Sequence, residues 1–380
     1  MDLICLSHIK WNFVYQRPQH LLNRFAINNR VFVIEEPVYD ANSDYYETSK
    51  PDPKANLWVV QLYVSKCSSP EKTNHVLKAL LDSFIYSNHI AKYILWYYSP
   101  MALDFTDHLS PELIVYDCMD ELSAFKSPPK RIKETERDLL NLADLVFTGG
   151  HSLYKAKKDL HHNVHAFPSS IDKSHFYQAR TLSSDPEDQA SIPHPRLGFY
   201  GVIDERFNIS LINQLSELRP DWHFIFIGPV IKINKDDLPK KENIHYLGRK
   251  NYEELPLYLS GWDIAILPFA LNESTKFISP TKTPEYLAGG KPVISTSITD
   301  VVNPYGINKL VHIADTAEQF IEEAEKIFGS YNNKEEWLIK VDNYLSGTSW
   351  NKTWRKMLTL IDDTLEKKSK NRKTKMKMYV

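Results

Sequence analysis

One short stretch places a cation and a carboxylate at the start of a helical pattern. The residues SPTKTPEYLAGGKPVIST (279–296) predict a short helix, a double-glycine stop and a buried strand. Lys282 and Glu285 are three residues apart, so both would lie on one helix face. Ser279 is a suitable N-cap, and Thr281 stands where free N–H groups attract anions. A cation suits phosphate and a carboxylate suits vicinal hydroxyls, so the stretch indicates a nucleotide site. A surface Lys–Glu pair is the alternative.

Two further predicted strands are followed by loops that would face the cleft. The strand RLGFYG (196–201) is followed by Arg206, whose planar guanidinium fits phosphate oxygens. Gly201 allows the backbone to approach a ligand closely. The segment YLGRKNYEELP offers Gly248 and Tyr252 at another strand end. For Arg206, a purely structural salt bridge remains the alternative.

The first half of the chain carries further candidate site residues at the ends of its predicted strands. His8, Trp11 and Arg17 stand in the loop after the first predicted strand. Asp117 and Asp120 stand at the end of a later strand, and a carboxylate in a cleft can act as a general base or order hydroxyl groups. Asp120 is the preferred catalytic candidate because Asp117 can still belong to the strand. Strand-end capping is the alternative for both.

The elements that must position these residues alternate between strand and helix. Apolar runs predict first-half strands at 3–7, 30–36, 57–64, 93–98, 113–117, 145–150 and 163–167. The same pattern predicts second-half strands at 196–201, 222–228, 243–248, 263–269, 291–296 and 309–314. Such alternation, with helical patterns between the runs, predicts two doubly wound parallel sheets. Two such sheets in tandem form a cleft, and ligands bind at the carboxyl ends of their strands.

The predicted domain organisation follows from this alternation. It consists of a first Rossmann-like domain (1–182), a polar linker (183–196), a second Rossmann-like domain (197–345), a helix packing across the junction (346–366) and a basic tail (367–380). The α/β class and the cleft come from the strand pattern, and the ligand assignment comes from the motifs above.

Charge and composition restrict the function classes. The chain has 46 Lys/Arg and 48 Asp/Glu, which gives no overall nucleic-acid signature. The tail KKSKNRKTKMKMYV holds seven basic residues and no acid, and it predicts a disordered tether to an anionic membrane surface. A frayed terminus is the alternative. Three cysteines match no metal motif, and neither a secretory signal nor a membrane span is apparent. We therefore expect a cytoplasmic protein, peripheral at the inner face of the membrane.

Three motifs in order resemble those of glycosyltransferases with the GT-B fold. They are KWNFVYQRPQHLLNRFA (10–26) with VIEEP (33–37), PRLGFYGVIDERFN (195–208) and the stretch 279–296. The resemblance covers about residues 1–365 and is closest to the large retaining family that includes sucrose synthase. Within that family it is similar to the bacterial teichuronic-acid and exopolysaccharide type. It implies two Rossmann-like domains facing a cleft, with a C-terminal helix across the junction. The first domain would hold the acceptor and the reacting centre, and the second would bind the nucleotide sugar, with the base near Gly248, Arg249 and Tyr252.

The resemblance also implies a reaction. A sugar would move from a nucleoside-diphosphate sugar, with a UDP-sugar expected, to a polysaccharide or lipid-linked acceptor in cell-surface glycan synthesis. Glu285 matches the glutamate that binds the ribose, and Arg206 matches the residue that grips the diphosphate together with Lys282. Phe277 occupies the position of a second family glutamate, which contacts the donor sugar. Retention at the anomeric carbon is expected, with neither a metal nor another cofactor.

Two other functions remain open at this point. One is a nucleotide-sugar epimerase of the same fold, and the other is a non-catalytic scaffold that binds nucleotide sugars. A dinucleotide dehydrogenase is excluded because no GxGxxG follows any predicted strand.

Overall fold

Two sheets with helices packed around them form the structure, a computed structural model that describes residues 1–329 and 334–378. The first sheet contains β1 (Asp2–Leu6), β2 (Val31–Ile34), β3 (Val38–Ala41), β4 (Tyr45–Ser49), β5 (Leu57–Ser65), β6 (Tyr93–Tyr97), β7 (Leu113–Cys118), β8 (Leu145–Thr148) and β9 (Val164–Ala166). The strand order is β3-β5-β2-β1-β6-β7-β8-β9, and β4 pairs antiparallel with β5. The accompanying helices are α1 (Arg17–Phe25), α2 (Pro70–Ser87), α3 (Ile132–Leu142) and α4 (His151–Lys157).

The second sheet is parallel, in the order β12-β11-β10-β13-β14-β15. Its strands are β10 (Arg196–Tyr200), β11 (His223–Ile227), β12 (Ile244–Gly248), β13 (Ile264–Leu267), β14 (Val293–Ser295) and β15 (His312–Ile313). The remaining helices are α5 (Lys173–Tyr177), α6 (Glu187–Ala190), α7 (Ile209–Leu218), α8 (Leu255–Ser260), α9 (Lys282–Ala288), α10 (Thr299–Val301), α11 (Ala317–Gly329), α12 (Lys334–Leu345) and α13 (Trp350–Met378). The predicted two-sheet α/β architecture is confirmed.

The predicted strands are all present, and the structure adds β3 and β4 at the edge of the first sheet. Their sequences, VYDA and YYETS, are short and mostly polar or exposed. An edge strand has one neighbour and little burial, so it lacks the continuous apolar run that identifies a central parallel strand.

Three apolar cores hold the sheets and helices together. The first sheet has one core on each face, and the second sheet has a larger core of its own. Ile171, Phe176 and Ala179, which precede the predicted linker, belong to the core of the second sheet. Val341 and Leu345 of α12 also pack there. The second domain thus gathers residues from both sides of the main run of its strands.

The last helix returns to the first domain. Trp350, Met357 and Ile361 of α13 are buried in a core of the first sheet. Ser349 caps the helix, because its hydroxyl accepts a hydrogen bond from the Lys352 N–H at 3.2 Å. The chain therefore crosses the domain junction a second time between α12 and α13, which fixes the two sheets relative to each other.

The predicted disordered tail is wrong for its described part, since residues 367–378 continue α13. Lys368 pairs with Asp144 at 2.6 Å, and Arg372 pairs with Glu112 at 2.8 Å. These carboxylates of the first domain offset the repulsion among the basic residues, and the helix propagates from a packed stripe. Residues 379–380 of the predicted tail lie outside the described residues.

Candidate active site

A cavity of about 330 Å³ lies in the cleft between the two sheets. Loops at the carboxyl ends of strands from both sheets line it, as expected for open α/β sheets. The predicted site residues that line it are Trp11, Arg17, Asp120, Gly201, Arg206, Tyr252, Ser279, Thr281, Lys282 and Glu285. Those that do not line it are His8, Asp117 and Gly248.

The loop before α9 joins the two domains, and the helix begins later than predicted. Thr281, not Ser279, occupies the N-cap position, and it makes no side-chain capping hydrogen bond. The Ser279 hydroxyl instead accepts a hydrogen bond from the Ser169 N–H at 3.3 Å, and the Ser279 carbonyl accepts one from the Ser169 hydroxyl. The predicted N-cap is wrong because the connecting segment between the sheets already uses Ser279.

Lys282 provides an unpaired cation inside the cavity. Across the described ranges, its ammonium group has neither a hydrogen-bond nor an ion-pair partner. A Cβ at Gly201 would come within 2.1 Å of the Lys282 Cε, and Gly201 has φ +146°, a region that favours glycine. Burial and the nearby Arg206 lower the pKa of Lys282, whereas Glu285 raises it. A cation held in this way is available to an anionic ligand.

Glu285 provides the carboxylate on the same helix face. It is 6% exposed, and its Oε2 accepts a hydrogen bond from the Tyr200 hydroxyl at 2.9 Å. Burial raises the pKa of Glu285 to about 7, while Lys282 and the Tyr200 hydrogen bond oppose that shift. The carboxyl group is thus poised between its charged and neutral forms near neutral pH.

Arg206 forms a salt bridge with Asp204, and it also lines the cavity. Its guanidinium donates to both carboxylate oxygens of Asp204, at distances down to 2.7 Å, and Asp204 is buried. The Phe125 ring of the first domain lies 5.3 Å from the guanidinium carbon. Asp204 fixes the direction of the side chain, and the remaining N–H groups of the guanidinium can still reach a ligand.

The carboxylates of β7 and of the loop after it have different environments. Arg17 donates two hydrogen bonds to Asp117, at 3.1 and 2.8 Å, and a third to the Phe167 carbonyl at 2.7 Å. Asp117 is fully buried, and both of its carboxylate oxygens accept a hydrogen bond from Arg17. Asp120 faces the cavity instead, and burial raises its pKa, which Arg206 and Arg17 lower. Of the two, Asp120 lines the cavity and Asp117 does not.

The far wall of the cavity is aromatic and joins the domains. The Tyr15 ring of the first domain stacks on Tyr252 of the second, with centroids 4.4 Å apart. The Tyr252 hydroxyl is buried without a hydrogen-bond partner in the described part of the chain. Arg249 donates to the Asn12 carbonyl at 2.6 Å. The His175 ring also stacks on Tyr252, with centroids 4.3 Å apart, so these contacts tie the two domains together along this wall of the cavity.

Besides Asp117, the predicted residues His8 and Gly248 lie outside the cavity, in different surroundings. His8 Nδ1 is buried without a partner among the described residues, and burial together with Lys232 lowers the pKa of His8 to about 4. Gly248 ends β12, where its carbonyl accepts a hydrogen bond from the Gly228 N–H at 2.8 Å. Trp11 does line the cavity, in a loop held by Glu35, whose carboxylate accepts from the Trp11 N–H at 2.7 Å.

Tyr15, Tyr200 and Asp204 also contribute to the site, although no motif in the sequence points to them. Asp204 precedes Arg206 by two residues, a spacing that allows a local ion pair and could have been noticed. Tyr200 immediately precedes Gly201, but only the packing of β10 against α9 brings its hydroxyl to Glu285. Nothing in the sequence signals the stacking of Tyr15 across the cleft.

Within 1–329 and 334–378, three or more His, Cys, Asp or Glu side chains nowhere come together as a metal site. In those same ranges, every helix is too short or too polar to cross a bilayer.

The chain is similar to known glycosyltransferases in sequence and in fold. Residues 194–330 match the family described as glycosyl transferases group 1. Over 309 residues the chain is 26% identical to a protein of Bacillus subtilis (strain 168) named as a teichuronic acid biosynthesis glycosyltransferase, with 75% of this chain and 76% of that protein covered.

Solved structures share the fold at low sequence identity. Sucrose-phosphate synthase from Thermosynechococcus elongatus superposes with a TM-score of 0.72 and 13% identity, covering 96% of this chain and 99% of the other. The Anabaena protein HepE, solved in complex with UDP and glucose, superposes with a TM-score of 0.65 and 12% sequence identity. This match covers 95% of this chain and 99% of HepE. These likenesses show the same two-domain fold.

Proposed function

We propose a reaction from one premise: the chain is a glycosyltransferase of the GT-B fold. It transfers a sugar from a nucleoside-diphosphate sugar, a UDP-sugar being the expected donor, to a hydroxyl group of a polysaccharide or lipid-linked acceptor. The observation that carries this proposal is the convergence of Arg206, Lys282 and Glu285 on one interdomain cavity. The epimerase and scaffold alternatives are not favoured.

The second domain would hold the donor. Lys282 and Arg206 bind the diphosphate, and Glu285 accepts hydrogen bonds from the ribose hydroxyls. Tyr252 and the neighbouring loop face the base. Negative charge develops on the diphosphate as the glycosidic bond breaks, so cations already in place lower the barrier to cleavage. These two cations would take the role that a divalent ion has in other transferases, and transfer would be independent of metal.

The first domain would hold the acceptor. Asp120 orders the attacking hydroxyl group or accepts its proton, and Trp11 offers an aromatic face to a sugar ring. Retention at the anomeric carbon is the expected stereochemistry. Phe277, in place of the family glutamate, packs against a core of the first domain, so backbone N–H groups near Ser279 would contact the donor sugar in its stead.

The surroundings of the acceptor are proposed from charge and from the named relative. The Bacillus subtilis protein is named for teichuronic acid biosynthesis, which supports an acceptor in cell-surface glycan synthesis. The basic C-terminal turns of α13 would attract the anionic inner face of the membrane, where a lipid-linked acceptor is found. The protein would then act in the cytoplasm, at that surface.

A donor screen tests the proposal. Release of nucleoside diphosphate from UDP-, GDP- and ADP-sugars would be followed with and without lipid-linked or oligosaccharide acceptors, in excess EDTA. We expect one donor class to be consumed, faster with acceptor, and the Lys282→Ala variant to be much slower. Lys240→Ala is the matched control, since Lys240 is exposed on the same domain. An altered free nucleotide sugar without transfer would contradict the proposal, and activity that returns only with a divalent ion would contradict metal independence.

A further inference from the structure

The hydroxyl group of Tyr200 is aimed at the carboxylate that faces the cavity. Tyr200 is the last residue of β10, and it is 3% exposed. Its hydroxyl donates to Glu285 Oε2 at 2.9 Å. The contact joins the end of a central strand to the first turn of α9, and it lies inside the protein, where a hydrogen bond to a charged group is strong.

The Tyr200 ring cannot easily turn away from this contact. Tyr286, the neighbour of Glu285 on α9, uses its hydroxyl group to accept from the Tyr200 N–H at 2.9 Å and to donate to the Tyr200 carbonyl at 3.4 Å. The rings of Tyr200 and Tyr286 also meet edge to face, with centroids 4.7 Å apart. Strand and helix are therefore joined by three hydrogen bonds, and the direction of the phenol is fixed by packing.

The second carboxylate oxygen of Glu285 is in a different situation. Among the described residues, Oε1 has no hydrogen-bond partner, and Glu285 lines the cavity. Tyr200 thus occupies one oxygen and leaves the other toward the ligand. A carboxylate oxygen has two lone pairs, so Oε1 alone can accept from one or both hydroxyl groups of a diol.

The groups that face Glu285 decide how readily it takes up a proton. Lys282 and Tyr286 face it from the same helix. Tyr200 faces it from β10, and Tyr252 faces it from the loop after β12. Burial raises the pKa of Glu285 to about 7, and Lys282 and the Tyr200 hydrogen bond hold it from rising further. Protonation would replace an acceptor by a donor in the cavity.

We propose that Tyr200 is a positioning residue for nucleotide recognition: it holds Oε2 of Glu285 so that Oε1 stays an acceptor aimed at the ribose hydroxyl groups of a nucleoside diphosphate. The inference rests on the proposed function, and it goes beyond it by naming the residue that orients the ribose contact. It also makes nucleotide affinity dependent on pH near neutrality. Removing the Tyr200 hydroxyl group leaves the carboxyl group in place but makes it easier to protonate and free to turn.

The test compares Tyr200→Phe with the wild-type protein by calorimetric titration with UDP between about pH 6 and about pH 9. Loss of the hydrogen bond raises the pKa of Glu285, so we expect UDP to bind about threefold to tenfold more weakly near pH 7. The difference should shrink at about pH 9, where both proteins carry an ionised carboxylate. The phosphate of UDP titrates equally in both experiments. The ratio of the two Kd values at each pH therefore reports only the effect of the substitution in the protein.

Controls separate positioning from mere structural support. Tyr246→Phe removes a hydroxyl group elsewhere in the same domain, where it donates to the Pro239 carbonyl at 3.3 Å, and should leave UDP affinity unchanged at every pH. In a Glu285→Gln background, Tyr200→Phe should have no pH-dependent effect. With 2′-deoxy-UDP, the effect of Tyr200→Phe should be smaller than with UDP.

The outcomes are distinct. If the wild-type protein and Tyr200→Phe bind UDP with equal affinity at every pH, the inference is wrong. The proposed function is not affected by that result. A loss of equal size from about pH 6 to about pH 9, or one that persists in Glu285→Gln, also overturns it, since only general packing would then be affected. Wild-type protein that binds neither UDP nor any other nucleoside diphosphate removes the proposed function and this inference with it.

Discussion

Two cation–carboxylate pairs stand beside the same cavity, and they are built differently. In the first domain, Arg17 and Asp117 share two hydrogen bonds, and Asp117 is fully buried. In the second domain, Lys282 and Glu285 stand on one helix face, and neither is in an ion pair in the described part of the chain. The first pair is closed on itself, whereas the second leaves an ammonium group and a carboxylate oxygen toward the cavity.

The difference shows how to separate scaffold charges from ligand-binding charges. A buried charge with all of its hydrogen bonds made within the protein has nothing left for a ligand, and its removal leaves its partner uncompensated. A charge held by packing, without a partner, costs desolvation that a ligand can offset. Arg206 lies between these limits, because Asp204 satisfies part of its guanidinium and the cavity receives the rest.

The largest effect, a loss of stability, is expected from breaking the Arg17–Asp117 pair. Arg17→Ala should lower the free energy of unfolding by about 3–5 kcal/mol, because it leaves the Asp117 carboxylate buried and unpaired. Urea unfolding monitored by circular dichroism measures this. Arg131→Ala is a matched control in the same domain, since its pair with Asp104 is largely exposed and should contribute little. Equal stability of the two variants would show that the Arg17–Asp117 pair is not a scaffold element.

Ionisation of Glu285, which has no ion-pair partner in the described part of the chain, should destabilise the folded protein, whereas the charges of the Arg17–Asp117 pair stabilise it. The pKa of Glu285 is raised to about 7 in the folded protein, so the folded state binds its proton more tightly than the unfolded state does. Stability is therefore lost as pH rises from the ordinary pKa of a glutamate to about 7, by up to about 3 kcal/mol. Glu285→Gln should be more stable than wild type at about pH 8, with the difference vanishing near pH 5. Unfolding curves that differ by a constant amount at all pH values would contradict this.

Ligand binding should respond to the open pair while the fold survives. Lys282→Ala and Glu285→Ala should each weaken UDP binding about tenfold to a hundredfold, the equivalent of a charge-assisted hydrogen bond of roughly 1.5–3 kcal/mol. Isothermal calorimetry measures the affinity, and a thermal melt checks the fold. Glu217→Ala, on the surface of the same domain, is the control. If both active-site variants keep wild-type affinity, these residues do not form the nucleotide site.

The smallest effect is expected from the surface charges of the last helix. Removal of residues 367–380 deletes the ion pairs of Lys368 with Asp144 and of Arg372 with Glu112. Partly exposed pairs contribute about 1 kcal/mol or less each, so the melting temperature should fall only slightly and UDP affinity should not change. Binding to anionic liposomes at low salt should decrease. If the full-length and the truncated protein co-sediment equally with these liposomes, the basic turns of α13 contribute to helix packing and not to membrane binding.

Much of the architecture could be predicted from the sequence, because central parallel strands are continuous apolar runs and helices have their own period. The runs LICLS and DIAILPF, for example, identify β1 and β13. The edge strands β3 and β4 could not be found in this way, since their pairing depends on β5 rather than on their own composition. The predicted disorder of the tail is wrong for a similar reason, because its charge pattern predicts repulsion and the acids that offset this repulsion, Asp144 and Glu112, belong to the first domain.

For the site, the sequence by itself determined the residue types and their local spacing. The Lys282–Glu285 spacing on one helix face, Arg206 after a strand and Gly201 beside it follow from local geometry, which depends on neighbours in the chain. Only the tertiary structure decided which charges are satisfied. Arg17 and Asp117 are 100 residues apart, and Tyr200 and Glu285 are 85 apart. Hydrogen-bond partners at such separations are selected by the packing of strands and helices, so it is burial and contact, not residue type, that make one carboxylate part of the scaffold and another part of the candidate active site.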